Sequence, residues 1–221
     1  LNMIKNIIFD FDGVLVDSEI LVARAFSKYL RNIGHNFNQK DFFQFAGKKT
    51  IQVITHLSEK FLINDKEKFY SDIMDIASNI YTNELTAVKG AFEYVNNSER
   101  NLFIGSNSIK SRIIKGLKKV NLDKFFNEDK IFSFDMVNMP KPYPDIYLKV
   151  INSHNLNKEE TIVIEDSVVG IQAAKAAEIK VIGLTAGSHW HSERSESELI
   201  ASGAFQVIND YKSLDKILKI I

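Results

Sequence analysis

The sequence contains no cysteine among its 221 residues, and its only prolines, Pro140, Pro142 and Pro144, lie together. The absence of cysteine excludes disulfide bonds, thiolate metal sites, cysteine nucleophiles and iron–sulfur clusters within this chain. Long apolar runs are missing too, since no stretch reaches the roughly 18 uncharged residues of a membrane-spanning helix. Charged residues from Lys5 onward interrupt the apolar N-terminal run, so we expect neither a signal peptide nor a membrane span. We expect a cytoplasmic protein.

A net charge of either sign is also lacking, because 28 Lys and Arg residues balance 28 Asp and Glu residues. Proteins that bind nucleic acid or anionic membranes through general electrostatics carry a basic excess, so we expect neither partner. Hydrophobic residues make up 45% of the chain and charged residues 25%, which is ordinary for a soluble globular protein. The length fits one domain with a modest insertion. We expect a monomer or a weak dimer.

Short apolar runs alternate with amphipathic helical stretches along most of the chain. The runs cover residues 4–9, 101–105, 130–134, 161–164, 180–184 and 204–208, and the helical stretches cover about 89–97, 108–120, 143–153, 168–177 and 211–220. Continuous apolar runs are typical of strands that are buried on both faces of a parallel sheet. The alternation predicts an α/β fold with a doubly wound, Rossmann-like parallel sheet.

The interval 17–85 breaks this alternation, because it shows helical periodicity and no convincing strand. We therefore predict an α/β catalytic core formed by residues 1–16 and 86–221, with an inserted all-helical cap at residues 17–85. Two chain crossings join such an insertion to the sheet. This connection resembles a hinge, so the insertion could act as a lid over a site at the strand ends. A helical subdomain that packs without moving is the alternative.

Acidic residues follow two of the predicted strands. Asp10 and Asp12 follow the first strand, and Glu165 and Asp166 follow the fourth. On an extended strand end, Asp10 and Asp12 would point the same way. Ligands of open parallel sheets gather at the carboxyl ends of the strands, so these four carboxylates should converge. Clustered carboxylates repel unless they share a cation, and oxygen ligands favour Mg²⁺.

Groups that bind anions come from two further segments. Ser106 and Asn107 follow the second strand just before a helix, where side-chain and backbone donors form an anion site. Lys141 lies between prolines that restrict the backbone. Donors, a lysine and a magnesium ion around a carboxylate predict a phosphoryl-transfer site.

The motifs DFDGVLVDSE (10–19), SNS (106–108), KPYPD (141–145) and EDS (165–167) occur in this order. In combination they resemble the haloacid dehalogenase superfamily, over nearly the whole chain. The similarity is to its members with a helical cap after the first strand: β-phosphoglucomutases, 6-phosphogluconate phosphatases and phosphoglycolate phosphatases. The resemblance implies Mg²⁺-dependent hydrolysis of a small phosphorylated metabolite, such as a sugar phosphate or a phospho-acid, through an aspartyl-phosphate.

Roles for individual residues follow from the resemblance. Asp10 is the expected nucleophile, and Asp12 the general acid and then base. Asp10, Asp166 and the backbone carbonyl of Asp12 hold Mg²⁺, with Glu165 beside them either as a ligand or as a group that orients Lys141. Ser106 and Lys141 stabilise the transferring phosphoryl group. Asn107 positions that group or the surroundings of the nucleophile.

Substrate specificity is expected in the cap. The stretch FAGKKT (45–50) resembles the substrate-recognition loop of the family, and Lys48 and Lys49 would bind a second anionic group. A solvated lysine pair at a helix start is the alternative. Glu19 and Arg24 are further residues expected to face the substrate.

Other activities remain open beside hydrolysis. The dehalogenases of the superfamily lack the second aspartate, which is present here as Asp12. The phosphomutases carry a histidine where this chain has Val22, so water is favoured as the phosphoryl acceptor, with phosphomutase activity as the alternative. A non-catalytic phosphometabolite-binding protein is the third possibility, although no catalytic motif is damaged. The sequence His189-Trp190-His191 reads as a loop with a packed tryptophan rather than as a metal site.

Overall fold

A computed structural model describes residues 3–45, 50–191 and 194–220. The chain divides into two compact units, one of Leu1–Asp17 with Thr86–Ile221 and the other of Ser18–Leu85. We call them the α/β unit and the helical unit. The strands are β1 (Asn6–Phe9), β2 (Asn101–Gly105), β3 (Ile131–Phe132), β4 (Thr161–Glu165), β5 (Lys180–Leu184) and β6 (Gln206–Ile208). The helices are α1 (Glu19–Asn32), α2 (Gln39–Phe42), α3 (Thr50–Phe61), α4 (Lys66–Glu84), α5 (Ala91–Asn97), α6 (Lys110–Lys119), α7 (Asp145–His154), α8 (Val168–Ala176), α9 (Ser197–Ser202) and α10 (Tyr211–Leu218).

The α/β unit contains one parallel sheet with the strand order β3-β2-β1-β4-β5-β6. All five strand pairings are parallel, and helices connect successive strands. The predicted doubly wound α/β fold is confirmed. The order reverses at β1, which lies between β2 and β4, and this reversal places a crevice at the carboxyl ends of the central strands.

The central strands are buried, as their apolar composition predicts. All four residues of β1 and all five of β4 are buried. The third apolar run, predicted over 130–134, forms only the two-residue strand β3, because Phe134–Met136 turn into a short 3₁₀ helix. The core on one face of the sheet includes Tyr147, whose ring is fully buried.

Turns after β1 and before α5 bring two chain segments of the α/β unit side by side. Val16 forms an antiparallel bridge with Ala87, and the amide of Asp17 donates a hydrogen bond of 2.9 Å to the carbonyl of Thr86. The segments therefore run as a short antiparallel pair where the chain leaves the α/β unit and where it returns.

The helical unit packs its aromatic side chains around α1 and α4. The ring of Phe26 in α1 meets Phe69 of α4 edge-on at a centroid distance of 5.8 Å, and Tyr29 lies 4.8 Å from the same ring. Asn38 and Asp41 form a reciprocal capping box at the start of α2. Phe43–Phe45 continue α2 as a 3₁₀ turn. Among the described residues, no helix has the length and apolar content needed to cross a membrane.

Candidate active site

The first strand delivers Asp10 to the carboxyl edge of the sheet. Its amide donates a hydrogen bond of 2.9 Å to the carbonyl of Ile164, which extends the pairing of β1 with β4 by one residue. Strand β1 ends at Phe9, and the amides of Leu15 and Val16 both bond back to the carbonyl of Phe11. Because the backbone turns here, Asp12 does not continue the strand. The strand geometry behind the expected alignment of Asp10 and Asp12 is therefore absent, but Asp12 still lies near enough to the cluster for its charge to raise the pKa of Asp166.

Lys141 is buried between two carboxylates. Its Nζ atom lies 2.7 Å from Oδ1 of Asp10 and 2.6 Å from Oε1 of Glu165, and only 2% of its side chain is exposed. Burial by itself lowers the pKa of this lysine, but the charges of Asp10 and Glu165 outweigh burial and the net shift is upward. Lys141 therefore stays a cation next to Asp10, where it can neutralise charge on an incoming anion.

The carboxylate of Glu165 is saturated by donors from the protein. Its Oε1 accepts hydrogen bonds from Nζ of Lys141 and from the hydroxyl of Tyr147, at 2.6 and 2.8 Å. Its Oε2 accepts from the amide of Asp166 and from the amide and hydroxyl of Ser167. Because two carboxylate oxygens offer about four acceptor sites, these five donors leave Glu165 little capacity for a metal.

Asp10, Glu165 and Asp166 form the group of side chains that could hold a metal ion in the part of the chain that the structure describes. One carboxylate oxygen from each lies within 4.8 Å of the others, and all three residues are buried. Burial raises the pKa of Asp10 and of Asp166 well above the ordinary range, and the neighbouring carboxylates add to that rise in both cases. Lys141 neutralises only part of the negative charge of these three carboxylates. Because Glu165 is already saturated by protein donors, the carboxylates of Asp10 and Asp166 are the ones left to bind a hard divalent cation such as Mg²⁺.

The segment after β2 supplies a buried hydroxyl group and a side-chain amide that binds the main chain of Lys141. Ser106 is buried, and its hydroxyl accepts a hydrogen bond of 3.0 Å from the amide of Ser108. The side-chain amide of Asn107 pairs with the main chain of Lys141, because its Oδ1 accepts from the Lys141 amide at 2.9 Å and its Nδ2 donates to the Lys141 carbonyl at 3.4 Å. Asn107 therefore fixes the backbone of Lys141 in place.

Asp12 has a different set of partners from Asp10. Its Oδ2 accepts a hydrogen bond from the hydroxyl of Ser108, and its Oδ1 lies 3.0 Å from a guanidinium nitrogen of Arg112. The side chain of Asp12 is not a member of the carboxylate trio, so a metal role for Asp12 rests on its backbone carbonyl alone. Arg112 was not among the predicted site residues. Ser108 precedes helix α6 and Arg112 lies in its first turn, so no helical spacing links the two residues.

His189 is a second residue of this site that was not among the predicted site residues. Its Nε2 atom lies 2.8 Å from Oδ2 of Asp166, and 14% of its side chain is exposed. The sequence predicts only a loop after β5 for this residue. The contact with Asp166 depends on the path of that loop, which local sequence patterns do not specify.

The remaining predicted residues belong to the segment 18–85. Lys48 and Lys49 lie outside the described residues. Glu19 is the exposed first residue of α1 in the helical unit, and Arg24 of the same helix forms an ion pair with Glu84 of α4. The structure thus brings together five of the predicted residues by direct contacts: Asp10, Glu165, Asp166, Lys141 and Asn107. Ser106 directly follows β2 and precedes Asn107 in the chain.

The doubly wound parallel sheet carries a buried lysine, three buried carboxylates and hydroxyl groups at the carboxyl ends of its strands. This combination defines an α/β enzyme that acts on anions. Comparison with protein families gives the class. Residues 7–184 match the haloacid dehalogenase-like hydrolases. The chain belongs to this family.

Two curated relatives cover most of the chain. A phosphorylated carbohydrates phosphatase from Thermotoga maritima is 26% identical over 220 residues, which are 97% of this chain and 99% of the relative. A 6-phosphogluconate phosphatase from Escherichia coli is 27% identical over 191 residues, 86% of each chain. The prediction of a phosphoric monoester hydrolase is confirmed by these relatives and by the family.

A solved structure agrees with the fold over the full length. A hydrolase of this family from Deinococcus radiodurans, determined with bound phosphate and sodium, superimposes with a TM-score of 0.86 at 26% identity. The superposition covers 100% of this chain and 97% of that chain.

Proposed function

We propose that this protein is a Mg²⁺-dependent phosphatase that hydrolyses a small phosphorylated metabolite through an aspartyl-phosphate on Asp10. One observation carries the proposal: the Lys141 ammonium bridges Asp10 and Glu165 inside a buried carboxylate cluster. A carboxylate beside a fixed cation can approach a phosphoryl group, whose negative charge would otherwise repel it. The bound phosphate in the Deinococcus radiodurans relative supports an anion site in this fold.

In the first step, an oxygen of Asp10 attacks phosphorus and the bond to the ester oxygen breaks. Asp12 donates a proton to that leaving oxygen, so the alcohol departs neutral. Lys141 and the hydroxyl of Ser106 stabilise the equatorial oxygens of the transferring group. When bound at Asp10 and Asp166, Mg²⁺ supplies further neutralisation of phosphoryl charge.

In the second step, water attacks the phosphorus of the aspartyl-phosphate. Asp12 accepts a proton from this water, and the bond between phosphorus and the Asp10 oxygen breaks to release phosphate. The same carboxylate thus acts as acid and then as base, which contributes about 10²–10⁴-fold to the rate. Ser108 and Arg112 hold both oxygens of Asp12 and so fix the carboxylate for this work.

Glu165 acts in this scheme by orienting Lys141 rather than by binding the metal. Its oxygens already accept five hydrogen bonds from the protein. The metal ligands that we propose are therefore Asp10, Asp166 and the backbone carbonyl of Asp12. Asn107 contributes through the main chain of Lys141 rather than through the substrate.

The experiment that tests the proposal measures phosphate release from a panel of sugar phosphates and phospho-acids, with Mg²⁺ or with EDTA. Asp10→Asn is assayed beside the unaltered protein. We expect Mg²⁺-dependent release that Asp10→Asn lowers by about 10³-fold or more, as for other nucleophiles that act as part of a unit. No release from any compound by correctly folded protein would overturn hydrolysis as proposed.

The same panel separates the two alternatives. A phosphomutase would move the phosphoryl group between hydroxyls of one sugar, which NMR of the sugar detects without free phosphate. Val22 stands where the mutases of the family carry a histidine, so we expect release to water. If the protein only binds phosphometabolites, a bound compound would raise its thermal unfolding temperature, but no phosphate would be released.

We propose a phosphorylated carbohydrate or phospho-acid as the substrate class, with Lys48 and Lys49 as contacts for a second anionic group. The names of the two curated relatives support this class. The double variant Lys48→Ala/Lys49→Ala should raise KM for 6-phosphogluconate more than for glucose 6-phosphate, since only the former carries a carboxylate. Lys118→Ala/Lys119→Ala removes an exposed lysine pair at the end of α6 and is the matched control. Equal KM changes for both substrates would contradict this assignment.

The proposal also includes a cytoplasmic location and a monomer or weak dimer. Sedimentation of the purified protein across a range of concentrations tests the second of these expectations.

A further inference from the structure

We propose that His189 is a positioning residue for the metal site, because it holds Asp166 by one oxygen and so selects the other oxygen for the cation. Its Nε2 atom lies 2.8 Å from Oδ2 of Asp166. A carboxylate that binds a metal is ionised and only accepts hydrogen bonds, so in the metal-bound protein the hydrogen in this contact comes from the imidazole. The inference deepens the proposed function, since it rests on Asp166 being a metal ligand.

The loop after β5 is built to bring His189 to this place. Both the amide and the hydroxyl of Ser188 donate to the carboxylate of Asp17, the amide at 2.9 Å. The amide of Trp190 closes a turn on the carbonyl of Gly187 at 3.0 Å. His189 is thus held between two anchored neighbours.

Trp190 fixes the far side of this loop. Its indole packs against the hydrophobic core that includes β4 and β5, and the Arg194 guanidinium lies 3.7 Å from the centre of its ring. Cation–π contacts of this kind restrict both partners. The tryptophan therefore explains why the loop stays close to the sheet edge at which Asp166 lies.

Two glycines leave room for the pair. A Cβ atom on Gly13, in the turn after β1, would overlap Oδ2 of Asp166 and lie 3.0 Å from Cε1 of His189. A Cβ atom on Gly187 would lie 2.7 Å from the same ring carbon. Side chains at either position would push His189 or Asp166 away, so the contact is enclosed from both sides by backbone.

The physical consequence concerns the orientation of Asp166. A carboxylate that ligates a metal loses rotational freedom on binding, and a hydrogen bond that already fixes its plane reduces that loss. Partners of this kind, which hold a ligand without touching the metal, typically account for about 10–100-fold in metal affinity. We expect His189 to contribute through this route.

The experiment compares two amide variants that differ by one methylene group. His189→Gln places an amide nitrogen near the position of Nε2, whereas the shorter side chain of His189→Asn cannot reach Asp166. The readout is the affinity of the protein for Mn²⁺, a spectroscopic substitute for Mg²⁺, measured from the paramagnetic resonance signal of free Mn²⁺. We expect the dissociation constant to rise by about 10–100-fold in His189→Asn and to recover to within a few-fold in His189→Gln.

His191→Asn makes the same change two residues away and is the control, with an expected dissociation constant close to that of the unaltered protein. Circular dichroism without metal reports whether each variant is folded, and the Gln variant keeps the comparison meaningful if the Asn variant is less stable. A folded His189→Asn with unaltered or tighter Mn²⁺ binding would overturn the role of His189 alone. An unaltered protein that does not bind Mn²⁺ would overturn the proposed metal site and this inference together.

Discussion

The two carboxylates that follow β1, Asp10 and Asp12, lie two residues apart in contrasting surroundings. Asp10 is buried beside Lys141, Glu165 and Asp166, and burial raises its pKa well above the ordinary range. Asp12 lies next to Ser108 and to Arg112, whose side chain is 41% exposed. The two carboxylates therefore differ less in exposure, 12% against 17% of the side chain, than in their partners. The environment, rather than the residue type, would separate the proposed nucleophile Asp10 from the proposed acid–base group Asp12. We expect substitutions around Asp10 to cost more stability than substitutions around Asp12, because Lys141 is buried and Arg112 is exposed to solvent.

Replacement of the buried cation should have the largest effect. Lys141→Met leaves Asp10 and Glu165 without their shared partner, so we expect the free energy of unfolding to fall by about 3–5 kcal/mol. Phosphatase activity should be lost in the same variant. Lys158→Met removes a lysine that is paired at 3.0 Å with Glu178 on the surface, and it should cost less than about 1 kcal/mol. Equal losses in urea denaturation would show that burial of Lys141 contributes nothing.

A methyl group beside Asp166 should have the next largest effect. Gly13 has a φ of 83° and Gly34 a φ of 91°, so alanine is strained at both positions by about 1–2 kcal/mol. Only at Gly13 does the added Cβ overlap Asp166, whereas nothing lies within 4 Å at Gly34. We expect Gly13→Ala to lose about 1–3 kcal/mol more than Gly34→Ala. Calorimetric or denaturant unfolding of the two variants measures the difference, and Gly13→Ala alone should weaken Mn²⁺ binding.

The stability of the protein should depend on pH differently with and without a metal bound at the buried carboxylates. Burial raises the pKa of Asp10 and Asp166, so above about pH 3.9, the ordinary value for an aspartate, the folded protein holds more protons than the unfolded chain. The free energy of unfolding of the metal-free protein then falls as the pH rises through these raised values. Because a divalent cation displaces those protons, the stabilisation by Mg²⁺ should grow with pH.

Urea denaturation with EDTA or with Mg²⁺ at pH 5 and pH 8 measures this effect. Asp10→Asn removes one of the two titrating groups, so the difference between the two pH values should shrink. Mg²⁺ stabilisation that is constant or falls with pH would contradict the raised pKa values of the cluster.

The surroundings of Asp12 should be the least sensitive to substitution. Arg112→Gln removes an ion pair in which the guanidinium side chain is 41% exposed, and pairs with one partner in solvent contribute about 1 kcal/mol or less to stability. The variant should nevertheless lower kcat more than it changes KM, because Asp12 is less firmly held for proton transfer. A large loss of stability with unaltered kcat would reverse the contrast between the two carboxylates.

The sheet was predictable from the sequence because its strands are buried on both faces. Strands β1, β2, β4 and β5 lie where continuous apolar runs predict them. Strand ends were predictable for the same reason, and with them the convergence of Asp10, Lys141 and the Glu165–Asp166 pair. Strand β3 is shorter than its apolar run, because the chain turns into a 3₁₀ helix at Phe134.

The hydrogen-bond partners of Asp12 and Glu165 were not predictable. Arg112, for example, reaches Asp12 from 100 residues away. Such contacts depend on the order of strands in the sheet and on the path of each loop, which local spacing does not encode. The saturation of Glu165 is an example, since it follows from Tyr147 and Ser167 lying on opposite sides of one carboxylate. His189 went unrecognised for the same reason.

The central position of β1 has a consequence for how the chain is made. Asn6 of β1 pairs with Asn101 of β2, 95 residues later, and with Thr161 of β4, 155 residues later. At about 5–20 residues per second, a ribosome takes roughly 5–20 s to produce the first of these partners. Through that time β1 has no neighbouring strand, whereas the helical unit between β1 and β2 is complete before β2 is made. During synthesis, the apolar residues of β1 therefore stay without their native partners longer than those of the helical unit.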